Sequence, residues 1–214
     1  MHTRNTLVCF LVGALCHLVT VPVPLAPASL FGIFSIPNIT YVYDDVPAIE
    51  RNAYVTQATT PWTALFTERD FWGNVLAWAS SHKSYRPITS LTYRLQVLWG
   101  GGKAGVGSAS VKRSLHAFNV LLFGIVCSCF YSVCARLESL TRQPGREYRA
   151  QTFQTLSYTV SLLAGLLFAT HPIHTEAVAC LVGRCELLSG LFFLLSLSAH
   201  GRARDAATTT TTTT

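Results

Sequence analysis

Apolar residues in this chain are gathered into runs, with polar and basic residues between them. The first run covers residues 7–23, behind a short leader holding Arg4. Further runs cover 115–134, 156–170 and 187–200. A helix needs about 20 mostly apolar residues to cross the hydrocarbon core of a bilayer. The first two runs approach that length. The third reaches it by extending back toward Phe153, the fourth by drawing in 177–182 as a re-entrant segment. The pattern predicts an all-α fold, a multi-pass transmembrane bundle of about four spans. The first run also fits a cleaved signal peptide, with a basic start, an apolar middle and Ala26-Pro27-Ala28 as a small-residue cleavage site. Either reading carries the next segment to the far side of the membrane.

Four units emerge from this pattern: a signal-anchor helix over 1–23, a translocated loop over 24–113, three spans with their loops over 114–205, and a tail over 206–214. The long loop is polar and aromatic, and holds Trp62, Trp72, Trp78 and Trp99. Thr60 as a cap and Pro61 at the first helical position predict a helix over 61–80. Its aromatics (Trp62, Phe66, Phe71, Trp72, Trp78) suit a helix lying in the membrane interface. A second short helix is predicted over 88–99. The five glycines in 100–107 predict a flexible turn, with nothing to make it a phosphate-binding loop. The tail ends in seven threonines, too polar to bury a core, and reads as disordered.

Composition agrees with a membrane chain. Half of the 214 residues are hydrophobic and 12% are charged, against about 25% charged in soluble domains. The net charge of +6 does not point to nucleic acid, because the basic residues form no single tract or stripe. Arg136, Arg142, Arg146 and Arg149 lie between the second and third runs, and Arg202 and Arg204 come after the fourth. The short loop between the third and fourth has Arg184 alone. That bias places the N-terminus, the 135–153 loop and the tail in the cytoplasm. Residues 24–113 and 171–186 then face the lumen or the exterior. Asn38-Ile39-Thr40 is a glycosylation sequon on that translocated side. Of the seven cysteines, Cys9, Cys16, Cys127, Cys129 and Cys134 fall in or beside apolar runs as inert thiols. Cys180 and Cys185 sit in the second translocated loop, as free thiols or as a pair. No CxxC motif or zinc finger is present.

Chemistry concentrates in the two translocated segments. Asp44-Asp45, inside Tyr41-Val42-Tyr43-Asp44-Asp45-Val46-Pro47, places two carboxylates soon after a membrane span. Such a pair works as a general base or holds a cation, and like charges side by side raise one pKa. A solvated turn before Pro47 is the plainer reading. His171-Pro172-Ile173-His174-Thr175-Glu176 opens the second loop. Three readings compete there: zinc ligation, which the His-x-x-His-x-Glu spacing suits only loosely; donors joined by Arg184 and aimed at a phosphate; and a helix boundary with solvated histidines. His82-Lys83-Ser84-Tyr85-Arg86-Pro87 supplies cations that suit an anionic head group, by a specific fork or by general attraction to lipid.

Taken together, Tyr43-Asp44-Asp45 with Pro47-Ala48-Ile49, Phe71-Trp72-Gly73, Ser81 to Pro87, Phe168 to Val178 and Gly183-Arg184 carry a resemblance. The set resembles the N-terminal membrane region of the transmembrane and tetratricopeptide-repeat (TMTC) family, over about residues 35–200. The resemblance implies an endoplasmic-reticulum protein O-mannosyltransferase related to membrane-embedded C-type glycosyltransferases. It implies dolichyl-phosphate mannose as the lipid donor, and Ser or Thr of secretory-pathway proteins, cadherin-like among them, as acceptor partners. Asp44 and Asp45 match the family's acidic pair. Lys83, Arg86, His171, His174 and Arg184 are its implied phosphate-binding candidates, with Glu176 a further polar site residue. The resemblance implies no particular metal or other cofactor. Family members carry more spans and a long repeat array, and no helical 34-residue repeat occurs in these residues. A truncated transferase module is therefore expected. A non-catalytic membrane chain needing a partner is the alternative, and a transporter the remote one, since His17, His116 and Asn119 lie singly in or beside the apolar runs.

Overall fold

A computed structural model of the chain describes residues 2–18, 40–140 and 150–211. Asn38, Ala26-Pro27-Ala28 and much of the 135–153 loop lie outside the described residues. The architecture is helical. The only bridge among the described residues is an isolated antiparallel pairing of Arg69 with Val75. Helix α1 is His2–Leu18, α2 Ala53–Thr56, α3 Ala64–Thr67, α4 Pro87–Trp99 and α5 Gly102–Gly105. Next come α6 (Ala109–Leu140), α7 (Ala150–Thr170), α8 (His174–Ala179) and α9 (Arg184–Thr211). A wide turn at Val46–Glu50 and a tight one at Leu181–Gly183 complete the order.

The apolar runs at 115–134, 156–170 and 187–200 fall inside α6, α7 and α9. Among the described residues two helices are long and apolar enough to cross a membrane, Ala109–Glu138 and Leu181–Ala207, with Thr159–Thr170 a shorter apolar helix. The chain is an all-α membrane helical region. Helix α9 continues to Thr211, six residues into the stretch expected to be a disordered tail. A helix already nucleated adds one hydrogen bond per residue and can carry a polar end.

The helix expected over 61–80 is not there. Only Ala64–Thr67 is helical, and the rest is turn. The cause is Asp70, whose Oδ1 accepts from the N–H groups of Trp72 (3.0 Å) and Asn74 (2.8 Å). Its Oδ2 accepts from the Ser81 hydroxyl at 2.7 Å. An aspartate that bonds the backbone ahead of it competes with the helix. Gly73, at φ +84°, completes the turn, and a Cβ there would meet Asn52 Oδ1 at 2.7 Å. The aromatics therefore split. Trp62 and Trp78 are exposed, while Phe71 enters the core. The second expectation fares better: α4 begins one residue early, with Pro87 in its first turn, and stops at Gly100. The predicted glycine turn contains the short helix α5.

Two compact units divide the chain. One comprises Met1–Cys16, Leu121–Pro172 and Leu187–Thr214. Small residues let its helices approach: a Cβ on Gly13 would meet the Cys127 sulfur at 2.6 Å, and one on Gly165 the Cys9 sulfur at 2.7 Å. Phe130 stacks on Phe168 with centroids 4.3 Å apart, beside Val126, Val133 and Leu194. Two polar pairs lie here: Ser161 donates to Glu138 at 2.6 Å, and Arg136 forms an ion pair with Asp205.

The other unit comprises His17–Val120 and Ile173–Glu186. Ile49, Val55, Phe71, Tyr93, Val97 and Leu181 pack its core with Ala48, Val106, Val111 and Leu115. Leu181 brings the 173–186 stretch of this unit onto its 40–120 stretch. Arg94, buried in α4, bonds Tyr54 O (2.6 Å), Thr60 O (2.6 Å) and the Thr60 hydroxyl (2.8 Å). It holds the segment after α2 against α4. The opposite face of α4 exposes Ile88, Leu95 and Trp99 at i, i+7 and i+11.

Candidate functional site

Adjacent aspartates meet different fates in the second unit. Asp44 is exposed, and Asp45 is 1% exposed. The Asp45 Oδ2 accepts from the Val42 N–H at 3.2 Å, and the Asp45 N–H donates to Val42 O at 3.0 Å. Residues 42–45 thus close on themselves as a turn. Tyr43 stands in that turn at φ +44° with its ring 90% exposed. A positive φ in a tyrosine is uncommon and costs energy, so the turn is held by what surrounds it. Asp44 is the next residue, and its carbonyl accepts from Ala48 N–H at 3.1 Å. The turn leaves the Asp44 carboxylate facing solvent.

Asp45 reaches across to residues 180–182. Its Oδ1 accepts from the Val182 N–H at 3.1 Å and from the Cys180 thiol at 3.8 Å. Burial lifts the Asp45 carboxyl above its ordinary value, and the Val42, Val182 and Cys180 donors pull it part of the way back. Burial, rather than the neighbouring carboxylate, is what moves it. A folded-state pKa above the unfolded one gives stability that is complete below about pH 3.9 and lost as pH rises through the folded value. Stability of this unit is therefore expected to increase as pH falls from neutrality toward 4, with a shallower slope in Asp45→Asn. Urea unfolding in detergent, monitored by tryptophan fluorescence, measures both slopes.

The segment that meets Asp45 is pinned from three sides. Tyr93 in α4 donates its hydroxyl to Leu181 O at 2.5 Å. Burial raises the Tyr93 pKa, so the hydroxyl remains a donor at neutral pH. Asn119 in α6 donates to Val178 O and Cys180 O, each at 3.3 Å. Arg184 is 0% exposed. It donates to Asn119 Oδ1 (2.7 Å), Gln96 Oε1 (2.7 Å), Leu115 O (2.9 Å) and the Thr92 hydroxyl (3.0 Å). Its guanidinium lies over the rings of Tyr93 and Phe118, 4.4 and 4.7 Å from their centroids. Gly183 is needed because a Cβ would fall 2.6 Å from Ala177 O and 2.7 Å from its Cα. Gly183→Ala is expected to lower stability by about 1–3 kcal/mol, read as a drop in the thermal midpoint in detergent.

The remaining candidates are scattered around this framework. Lys83, exposed and at φ +57°, donates its ammonium to Trp78 O at 2.7 Å and to Leu76 O. Arg86 is half-buried, its guanidinium 4.9 Å from the Phe71 ring centroid. His174, half-buried, begins α8, and Glu176 is exposed within it. His171 is exposed and belongs to the first unit. The structure thus brings Asp45 together with Cys180 and Val182, and sends Arg184 inward to protein acceptors. Asn119, which the sequence marks only as a lone polar residue, proves central to the site's support. Among the described residues no group of three or more His, Cys, Asp or Glu is placed to hold a metal ion. All seven cysteines are free thiols, Cys180 and Cys185 included.

No family model and no solved structure matches the chain. Curated relatives do. It is 42% identical over 157 residues to "Protein O-mannosyl-transferase tmtc2" of Xenopus laevis, a match covering 73% of this chain and 16% of that protein. It is 41% identical over 163 residues to "Protein O-mannosyl-transferase TMTC4" of Mus musculus, covering 76% and 20%. It is 38% identical over 164 residues to "Protein O-mannosyl-transferase TMTC3" of Homo sapiens, covering 77% and 15%. The chain spans between 15% and 20% of the length of these relatives.

Proposed function

Because the chain belongs, over the segment it shares with these relatives, to the TMTC family of protein O-mannosyl-transferases, we propose that it forms part of a protein O-mannosyltransferase site. The donor is dolichyl-phosphate mannose, and the acceptor is a Ser or Thr hydroxyl of a secretory-pathway protein such as a cadherin. The chain resides in the endoplasmic-reticulum membrane with about four spans, as the apolar runs suggest. Its N-terminus is cytoplasmic, and both the aspartate turn and the 171–186 segment are lumenal.

The exposure of Asp44 on a turn closed by buried Asp45 carries this reading. Asp44 takes the proton from the acceptor hydroxyl as its oxygen attacks the anomeric carbon of mannose. The bond from that carbon to the phosphate oxygen breaks on the opposite face, with inversion, and its electron pair leaves on dolichyl phosphate. Charge grows on the phosphate as the bond breaks, and nearby cations stabilise it. Lys83, Arg86 and His174 are the groups proposed for that task, with Glu176 a further polar residue of the site. Arg184 is the remaining candidate, but four of its five N–H donors are already engaged with Asn119, Gln96, Thr92 and Leu115.

The test is transfer of labelled mannose from dolichyl-phosphate mannose in microsomes lacking endogenous activity. The chain is assayed alone and joined to the remainder of the Mus musculus relative in place of its matching segment. Mannose appearing on a cadherin acceptor with the joined protein is the expected result. A joined protein that is present in the membrane and transfers nothing overturns the reading in favour of a non-catalytic membrane chain.

A further inference from the structure

Resting on the transferase reading above, we propose that Arg184 is a positioning residue for Asp44, acting through the 178–184 segment and Asp45. Hydrogen bonds lead outward from the buried cation in both directions. Arg184 joins α4, through Thr92 and Gln96, to α6, through Asn119 and Leu115 O. Its orientation is fixed further by the rings of Tyr93 and Phe118 on which it lies. Two of the side chains that it touches hold the segment ahead of it. Asn119 accepts from Arg184 with its oxygen and donates from its nitrogen to Val178 O and Cys180 O. Tyr93 lies under the guanidinium and donates to Leu181 O.

Once held, that segment presents a pair of donors to one carboxylate oxygen. The Val182 N–H and the Cys180 thiol both point to Asp45 Oδ1. The other oxygen of Asp45 takes the Val42 N–H and so closes the turn from which Asp44 projects. A buried carboxylate with one of these sets removed is under-satisfied and moves, or admits water. The turn it closes contains Tyr43 at positive φ and relaxes readily when the closing bond weakens. Arg184 thus stands one segment away from the reacting group and needs no contact with substrate. A lysine at this position keeps the charge but cannot serve four acceptors in two directions.

Two readouts test this in the joined protein, with Arg184→Lys and the milder Tyr93→Phe, which removes only the hydroxyl donated to Leu181 O. The first is labelling of Cys180 by a membrane-impermeant maleimide in opened microsomes, located by peptide mass spectrometry. Loss of charge-assisted bonds should raise its rate about tenfold or more in Arg184→Lys, with cooperative thermal unfolding of the same preparation as proof that the fold persists. The second is the kinetic split. Because misplacing a catalytic group by about 1 Å costs on the order of 100-fold, kcat should fall by about that factor while the donor KM stays unchanged. Tyr93→Phe should move both readouts in the same direction by less. Unchanged Cys180 labelling in both variants overturns the proposal, as does freed Cys180 with kcat intact. A rise in donor KM with kcat preserved overturns it too and returns Arg184 to the phosphate. If the parent transfers no mannose, the transferase reading falls by itself, while labelling still decides whether Arg184 holds the segment on Asp45.

Discussion

Replacing Asp44 by Asn is expected to cut mannosyl transfer by about 100- to 10,000-fold, with the protein still folded and inserted. The magnitude is what removal of a positioned general base costs, since the acceptor hydroxyl then loses its proton to water. The fold should tolerate the change because the carboxylate is exposed. The backbone carbonyl of Asp44, which accepts from Ala48 N–H, is untouched by the substitution. The donor KM should stay near its parent value, because an uncharged amide in place of the base leaves the phosphate cations as they were. Initial rates over a range of donor concentrations, with thermal midpoints on the same preparation, check both halves.

Asp45→Ala is expected to have the opposite profile in stability, a loss of about 2–4 kcal/mol. The substitution leaves the Val42 and Val182 N–H groups without their acceptor and opens a space where the carboxylate lay. The 173–186 stretch then keeps the Tyr93 and Leu181 contacts and the bonds of Arg184 to Thr92 and Gln96. Cys180 loses its partner as well and should alkylate faster. Transfer also falls, because the turn that presents Asp44 loses its side-chain closure. Denaturant titration of the second unit, with tryptophan emission as the probe, measures the loss of stability. Asp45→Asn retains one acceptor and should lose less.

Much of the helical layout is legible in the chain, and the reasons are local. Runs of apolar residues long enough to span can hardly do anything but form helices, so α6, α7 and α9 arise from hydropathy. Pro87 ahead of an amphipathic stretch and Gly100 behind it mark α4 within a residue. Residues 61–80 mislead because Thr60-Pro61 is a good start signal and nothing in periodicity reveals what Asp70 will do. Asp70 folds the residues after it into a turn by accepting two backbone N–H groups, and Ser81 completes it from eleven residues on.

At the site, the motif pattern marks the acidic pair but has no means of dividing it. Two identical side chains in sequence differ only in which way the turn points them, and that depends on Val182, 137 residues away. Arg184 reads as a phosphate ligand in the sequence because a cation beside an apolar helix on the translocated side usually seeks an anion. The neutral acceptors that engage it come from α4 and α6, 65 to 92 residues away. For the same reason Asn119 passes as an isolated polar residue. Its partners become visible only when α6 and the 178–184 segment are in place.

In the proposed site the two aspartates divide the labour, one as base and one as support, and a paired measurement tests that division. Asp44→Asn and Asp45→Asn are prepared in the joined protein, and each sample gives a mannosyl-transfer rate and a thermal midpoint. Asp44→Asn should lose transfer at an unchanged midpoint, whereas Asp45→Asn should shift the midpoint and the Cys180 reactivity with a smaller loss of rate. Transfer that survives in Asp44→Asn but disappears in Asp45→Asn at an unshifted midpoint would contradict this division and make the buried aspartate the base.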